Sequence, residues 1–298
     1  MYEGAFRILR ALGDGSTLTR DELVRRAGEA TSVVREVTER YPQWFEHQDG
    51  ALTCTEKGLA ALGRELVARG VVPSSTADWL ESYNAIAAER GTPKRALDQV
   101  YATAGTVVRR AELLLNAGEH QRGLVFLGDD DLGSAAVQLA GAGRRTTVVD
   151  IDQDVLALLE RVAAERSWEH VGVHHDVREP LPRTLHRRFG AVFTDPPYAV
   201  EGFSLFVSRA VSLLKPDGRL YVCFGQSRRA SERGLHKQRV LADAGLLVEA
   251  VYEDFNEYDG AEPIGARSAL WRCRVTPETR PLVAGAVEGD IHSSRSPE

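Results

Sequence analysis

The sequence predicts an α/β protein: a doubly wound, seven-stranded sheet preceded by a small helical domain with a winged-helix layout. Three observations predict it. From residue 122 onward, short apolar runs alternate with helix-like segments. Three of these runs end in acids, in Phe126-Leu127-Gly128-Asp129-Asp130-Asp131-Leu132, Thr147-Val148-Val149-Asp150 and Thr194-Asp195-Pro196-Pro197-Tyr198. Before them, the first 70 residues read helix, helix, helix, hairpin, helix.

In the first of these domains, residues 1–70, Phe6, Ile8, Leu9 and Leu12 give a short apolar face. Thr19-Arg20-Asp21-Glu22 has the pattern of a capping box, and a third helix is expected over residues 31–40. Residues 44–48 and 51–55 flank Asp49-Gly50, a two-residue hairpin signal, and a helix follows over 56–68. Three helices and a hairpin make a winged helix. Its third helix would be the reader of DNA, but Glu36 and Glu39 offset Arg35 and Arg40 and would repel phosphates. A structural or dimerising module is expected instead, with a homodimer as the assembly and no nucleic-acid partner.

Residues 71–120 read as a helical linker or cover. A helix over 77–90 carries Trp79, Leu80, Tyr83 and Ile86 at helical spacing, Gly91-Thr92-Pro93 breaks the chain, and a helix over 103–116 stops near Gly118. The third domain, residues 121–279, has strands expected at 124–127, 146–150, 171–174, 191–195, 219–224, 247–252 and 269–275. Between them lie a helix ending at 139 and helices over 152–166, 203–214 and 231–244, with Lys215-Pro216-Asp217-Gly218 as a turn. Seven strands in this order match the Rossmann-like architecture of AdoMet-dependent transferases, in which the last strand runs antiparallel. Residues 280–298 are polar and Gly-rich and read as a flexible tail.

Composition narrows the function. With 298 residues, 43% of them hydrophobic, the chain can bury a sizeable core, and no apolar run approaches a membrane span. No secretory signal is visible, so a cytoplasmic protein without a membrane partner is expected. Cys54, Cys223 and Cys273 are far apart and read as free thiols; neither they nor the eight histidines show metal-ligand spacing, so no metal is expected. A net charge of −6 argues against a polyanionic partner.

The acids at the strand ends point to a nucleoside that carries positive charge. Gly128 supplies a tight turn after the first strand, Asp150 is placed to accept the ribose hydroxyls, and Asp176 to read the adenine amine. Asp129, Asp130 and Asp131 disfavour a phosphate but suit an ammonium or a sulfonium; the bland reading is stabilisation by a helix dipole. Asp195-Pro196-Pro197-Tyr198 is a proline-stiffened turn that aims Asp195 at an amine or hydroxyl, with Tyr198 as a wall. The expected chemistry is in-line displacement at a carbon of an adenosyl sulfonium, with Asp195 as base. Methylthioadenosine leaves if the large arm moves and S-adenosylhomocysteine if methyl moves.

These residues resemble the branched-chain polyamine synthases, aminopropyltransferases with an N-terminal winged helix and an AdoMet-type fold. The matching stretches are Leu97-Asp98-Gln99 with Thr103, Thr106, Arg109 and Arg110; residues 126–132; Asp150-Ile151-Asp152; Thr194-Asp195-Pro196-Pro197; residues 205–209; and Phe255-Asn256-Glu257-Tyr258 with residues 261–268. The resemblance implies S-adenosyl-L-methionine or its decarboxylated form as donor. It implies donor contacts from Gln99, Thr103, Gly128, Asp129, Asp130, Leu132, Asp150, Ile151, Asp176, Val177, Asp195 and Pro196. A small-molecule acceptor would meet Pro197, Tyr198, Glu201, Phe203, Tyr258, Glu262 and Arg267, with Asp195 and Tyr198 catalytic.

Three departures stand out. Residues 70–95 contain no cysteine where the family often has a cysteine-rich metal segment. Tyr198-Ala199-Val200 stands where an acid is expected after Pro-Pro, and the C-terminal tail is not densely acidic. A less cationic acceptor than a polyamine is therefore expected. Transfer of the 3-amino-3-carboxypropyl arm of intact AdoMet, as in relatives such as isonocardicin synthase, is the favoured chemistry, with Thr103, Thr106 or Arg109 holding the donor's carboxylate. The alternatives are polyamine synthesis from the decarboxylated donor, an AdoMet-dependent N-methyltransferase, and a non-enzymatic regulator that senses a nucleoside.

Overall fold

The structure, a computed structural model, describes residues 2–68, 76–141, 145–225, 231–260, 266–289 and residue 291. The chain divides into two compact units, Met1–Val72 and Pro73–Glu298. In the first, α1 (Glu3–Ala11), β1 (Leu18–Thr19), α2 (Arg20–Ala27), α3 (Thr31–Arg40), β2 (Phe45–Gln48), β3 (Ala51–Cys54) and α4 (Glu56–Ala68) follow in order. The Thr19 amide donates to the Glu22 carboxylate at 2.9 Å and the Glu22 amide to the Thr19 hydroxyl at 3.4 Å, closing the capping box. Asp49 (φ 49°) and Gly50 (φ 80°) turn the β2–β3 hairpin in the left-handed conformation that two-residue turns need. The strand β1, two residues long and too short to leave a periodicity, pairs with β3 to give the order β1-β3-β2.

The second unit begins with α5 (Thr76–Ala87) and α6 (Ala104–Asn116), followed by β4 (Leu124–Leu127), α7 (Gly133–Leu139), β5 (Thr146–Asp150), α8 (Gln153–Arg166) and β6 (His170–His174). It continues with β7 (Phe189–Thr194), α9 (Val200–Leu213), β8 (Leu214–Phe224), α10 (Ser231–Asp243), β9 (Leu246–Glu257) and β10 (Arg267–Val275). The sheet runs β6-β5-β4-β7-β8-β10-β9, with β10 antiparallel to both neighbours and the first five strands parallel. Alternation along β4 sends Leu124 and Phe126 into one core with α6, α7 and α8, and Val125 and Leu127 into another with α9 and α10. The chain winds outward in both directions from β4, so the edge between β4 and β7 is the switch point where such sheets hold ligands.

Several elements differ from the sequence expectation. The expected turn at 215–218 is a bulge inside β8: Leu214 pairs with Phe189 and Arg219 with Ala191, and Pro216 and Asp217 loop out exposed. The strand expected at 247–252 runs from Leu246 to Glu257, its outer half hidden from the pattern because an edge strand carries polar residues on both faces. The stretch from residue 280, polar enough to read as a tail, is tied down along α9. Ser208 Oγ accepts the amides of Leu282 and Val283 at 3.2 and 3.1 Å, Arg209 donates to the carbonyls of Val283 and Gly285, and Ile291 is buried. Among the described residues no helix is long and apolar enough to cross a membrane.

Candidate active site

Parallel strands finish at one edge, so the loop after β4, the end of β5, and the loops after β6 and β7 bring Gly128–Asp131, Asp150, Asp176 and Asp195 to the same side of the sheet. At β4 the turn is built by Gly128 (φ 76°), whose amide donates to Val149, and by Leu132, held left-handed (φ 54°) and fully buried.

The three adjacent acids do different work. Asp129 caps α7, accepting the Gly133 amide at 2.7 Å and the Ser134 amide at 3.1 Å. Burial pushes its carboxyl up to about 8, against those amides. Asp131 is buried and accepts the Ala102 amide at 2.7 Å and Arg110 Nη1 at 2.6 Å. Asp130 is half-buried, and among the described residues its carboxylate takes no hydrogen bond and no ion pair. Enclosure, with the charges of Asp131, Asp150 and Asp195, pushes its carboxyl well above the ordinary carboxylate range. A cation would reverse that.

Asp150 is held by the amides of Asp129 and Asp152, each at 2.8 Å, so it locks the β4 loop to the β5 loop; burial raises its carboxyl. Each of its oxygens keeps a second lone pair for a hydroxyl. Asp152 caps α8 and receives Gln99 Nε2 at 2.9 Å and Lys94 Nζ at 2.5 Å, which fastens residues 94–99 beside the β5 tip. Ile151 is exposed at that tip.

Asp195, after β7, receives Arg110 Nη2 at 2.6 Å and the Tyr258 hydroxyl at 2.7 Å, both on Oδ2. Its Oδ1 takes no hydrogen bond from a described residue, and its side chain is 21% exposed. Burial raises its carboxyl while Arg110 pulls it down. Arg110 thus joins Asp131 to Asp195 across the switch point and also donates to Asn256 Oδ1 at 2.8 Å. The loop after β4 is held further by Tyr83, whose hydroxyl donates to the Asp131 carbonyl at 2.8 Å, and by Arg90, which donates to the Asp130 carbonyl at 2.8 Å.

Other expected site residues are placed less directly. Asp176 Oδ2 accepts Arg178 Nε at 2.9 Å and Nη2 at 2.6 Å, its Oδ1 accepts the Arg178 amide at 2.9 Å, and that arginine holds its carboxyl low. Val177 packs in the core, and Arg209 takes its carbonyl. Thr103 caps α6, and Arg109 donates to the Thr106 hydroxyl and the Phe255 carbonyl. Pro196 and Tyr198 are half-buried and Pro197 is buried. Phe203 is wholly inside, edge-on to Phe224 at 5.1 Å, so it is a core residue that no acceptor reaches directly. Glu201 and Arg267 are exposed, the latter 3.9 Å from Glu257. Glu262 lies outside the described residues. Among those described, no three His, Cys, Asp or Glu side chains group as a metal ion would need.

Sequence reasoning missed Tyr83 and Arg90 as site groups, and it met Arg110 only as part of a matching stretch, without a role. Arg110 left a signal: it lies on the apolar stripe of α6, with Val107, Ala111 and Leu114, where a basic residue has to find buried acids.

The family profile described as branched-chain polyamine synthase A C-terminal domain matches residues 78–279. The N(4)-bis(aminopropyl)spermidine synthase of Thermococcus kodakarensis is 35% identical over 195 residues, covering 64% of this chain and 55% of that protein. An uncharacterized protein of Methanocaldococcus jannaschii is 29% identical over 260 residues, covering 86% of this chain and 63% of the relative. The chain therefore spans between about half and three-fifths of the length of the curated relatives it matches. The crystal structure of the branched-chain polyamine synthase from Thermus thermophilus, in complex with N4-aminopropylspermidine and 5'-methylthioadenosine, is 25% identical with a TM-score of 0.65, covering 98% of this chain and 92% of that one.

Proposed function

The chain belongs to the branched-chain polyamine synthase family, and on that premise we propose that it transfers the amine-bearing three-carbon arm of an adenosyl sulfonium to a nucleophile, releasing methylthioadenosine. One observation carries the reading. Asp130, free of partners among the described residues, stands within the field of Asp131, Asp150 and Asp195, an arrangement that favours a cation and rejects a phosphate. The relative solved with methylthioadenosine and an aminopropylated polyamine is the product pair expected of this reaction.

The residues act as follows. Asp150 accepts the ribose hydroxyls with its remaining lone pairs, and Ile151 lies at the adenine. Asp176, freed from Arg178 or bridged by it, faces the adenine amine. Asp130 and Asp131 steady the positive sulfur and the arm's ammonium. Asp195, its Oδ2 fixed by Arg110 and Tyr258, presents Oδ1 to the attacking group and takes its proton. The protein contributes alignment and exclusion of water, and needs no covalent intermediate. The bond from sulfur to the arm breaks as the bond from nucleophile to the arm forms, and the sulfonium's charge is lost with the thioether.

The decarboxylated donor suits this reading, because Arg110 and Arg90 are committed to Asp131, Asp195 and the Asp130 carbonyl and so are not free to take a carboxylate on the arm. The 3-amino-3-carboxypropyl arm of intact AdoMet is the second reading. It draws on the sequence departure at Tyr198-Ala199-Val200, where no acid follows Pro-Pro. We read the N-terminal unit as a winged helix in a structural or dimerising role. The test is chromatographic: each donor is incubated with the protein and an acceptor mixture. Methylthioadenosine is expected, from the decarboxylated donor first. S-adenosylhomocysteine in its place would make the protein a methyltransferase and end the proposal.

A further inference from the structure

Lys237 is 2% exposed on the inner face of α10, between the buried Gly234 and Leu241. Its ammonium sits among aromatic faces, 4.6 Å from the centre of Tyr198, 5.4 Å from Phe203 and 5.8 Å from Phe224. Among the described residues no hydrogen bond or ion pair reaches it. Ring faces attract a cation but satisfy none of its three N–H donors. Burial lowers the ammonium to about 8, and the acid whose charge opposes that is Asp195. One turn earlier, the exposed Arg233 lies 5.6 Å from the centre of the same Tyr198 ring.

A fold gains nothing from a buried, unanswered ammonium; an apolar residue of the same length would serve the core better. The strand order says where its counter-ion belongs. The ends of β5, β4, β7 and β8 stand in that sequence across the sheet, so the Tyr198–Phe224 corner lies beyond Asp195 from the ribose-side acid Asp150. It is on the acceptor's side of the reaction.

We propose that Lys237, with Arg233 at the rim, is a specificity-determining residue that receives a carboxylate of the acceptor, so that this chain prefers a zwitterionic, amino-acid-like acceptor to a plain polyamine. The proposal rests on the transfer reaction above for its kinetic readout. A plain polycation brought to Asp195 would meet a second positive charge at Tyr198. A carboxylate there pairs with Lys237 while the reacting amine or phenol faces Asp195.

The experiment uses the full chain and matched acceptor pairs that differ by one carboxylate: diaminobutane and ornithine, diaminopentane and lysine, tyramine and tyrosine. Methylthioadenosine release is followed for wild type and Lys237→Met with each donor. In the pair that reacts fastest, wild type is expected to favour the carboxylate-bearing member at least tenfold in kcat/KM. Lys237→Met is expected to bring that ratio near one through KM, and to melt at a higher temperature than wild type. An unchanged ratio, or preference for the plain amine, overturns the proposal while leaving the transfer reaction intact. A change in the ratio of intact to decarboxylated donor, with the acceptor ratio unmoved, assigns Lys237 to the donor's carboxylate and also overturns it. A second readout needs no turnover: calorimetric titration of the same pairs into protein saturated with methylthioadenosine. Binding that favours the carboxylate in wild type and not in Lys237→Met supports the inference even if no donor reacts. The absence of such a difference sinks it.

Discussion

Glu119 and Asp130 are acids on either side of the same short strand, one before β4 begins and one after it ends. Glu119 is fully buried and fully answered: Arg219 reaches it at 3.0 Å, the Tyr221 hydroxyl at 2.9 Å and Arg122 at 3.4 Å. Burial raises its carboxyl, and the two arginines pull against that rise. Asp130 is less buried yet unanswered among the described residues, and its neighbours Asp131, Asp150 and Asp195 add to the burden. The same contrast holds for cations. Arg110 is engaged by Asp131, Asp195, Asn256 and Tyr258, whereas among the described residues Lys237 meets only ring faces. Charge that the fold completes is architecture. Charge that it leaves incomplete is concentrated where the strands finish, and its complement has to arrive with a ligand.

The contrast breaks most visibly at Glu119. Glu119→Ala leaves the buried Tyr221 hydroxyl and part of Arg219 without an acceptor, and is expected to cost about 3 kcal/mol of stability. Urea unfolding measures it. The kcat/KM of the folded fraction should stay at the wild-type value, since the proposed site lies at the opposite end of the sheet. A variant as stable as wild type would mean that Glu119 is no more built into the fold than Asp130.

Asp130→Asn is the converse. Removing one acid from a repelling group should leave stability equal or higher, while donor affinity falls about tenfold, roughly 1.4 kcal/mol. The sharper readout is selectivity. The donor carries a positive sulfur and methylthioadenosine does not, so the variant should bind methylthioadenosine as wild type does. Equal losses for both ligands would show that Asp130 holds the nucleoside, not the charge.

Much of this was legible in the sequence, for local reasons. The apolar runs of β4 and β5, the capping box at Thr19, the Asp49-Gly50 hairpin and the Asp at the β5 tip are written within a few residues. The partners of those acids are not. Arg110 reaches Asp195 from a helix eighty-odd positions upstream, and Tyr258 meets it from the end of β9. Only the sheet order makes these residues neighbours. Lys237 shows the same limit. On the helical pattern it is one basic residue in a polar segment. Its burial follows from β8 and α9 closing over it, which no spacing in α10 foretells. Phe203, expected at the acceptor, faces the core because α9 begins at Val200 and turns that position inward.

The smallest expected effect concerns Asp129, which stands between the two behaviours: its oxygens are answered by the Gly133 and Ser134 amides, yet its charge is not. Burial holds its folded carboxyl at about 8, whereas the unfolded chain ionises it at about 3.9. Between those values the folded protein keeps a proton that the unfolded chain has lost. Its contribution is therefore complete at low pH and drains away as pH rises towards 8. In Asp129→Asn the side-chain oxygen still accepts both amides and has no proton to lose. Comparing urea midpoints at about pH 6 and about pH 9 should show wild type weakening more than the variant. A saturating sulfonium donor should shrink the difference, because a fixed positive charge beside the loop lets Asp129 ionise inside the fold. Methylthioadenosine, which lacks that charge, should leave the difference in place. If both ligands flatten the wild-type profile alike, what the acids at this end of the sheet await is a nucleoside of any charge.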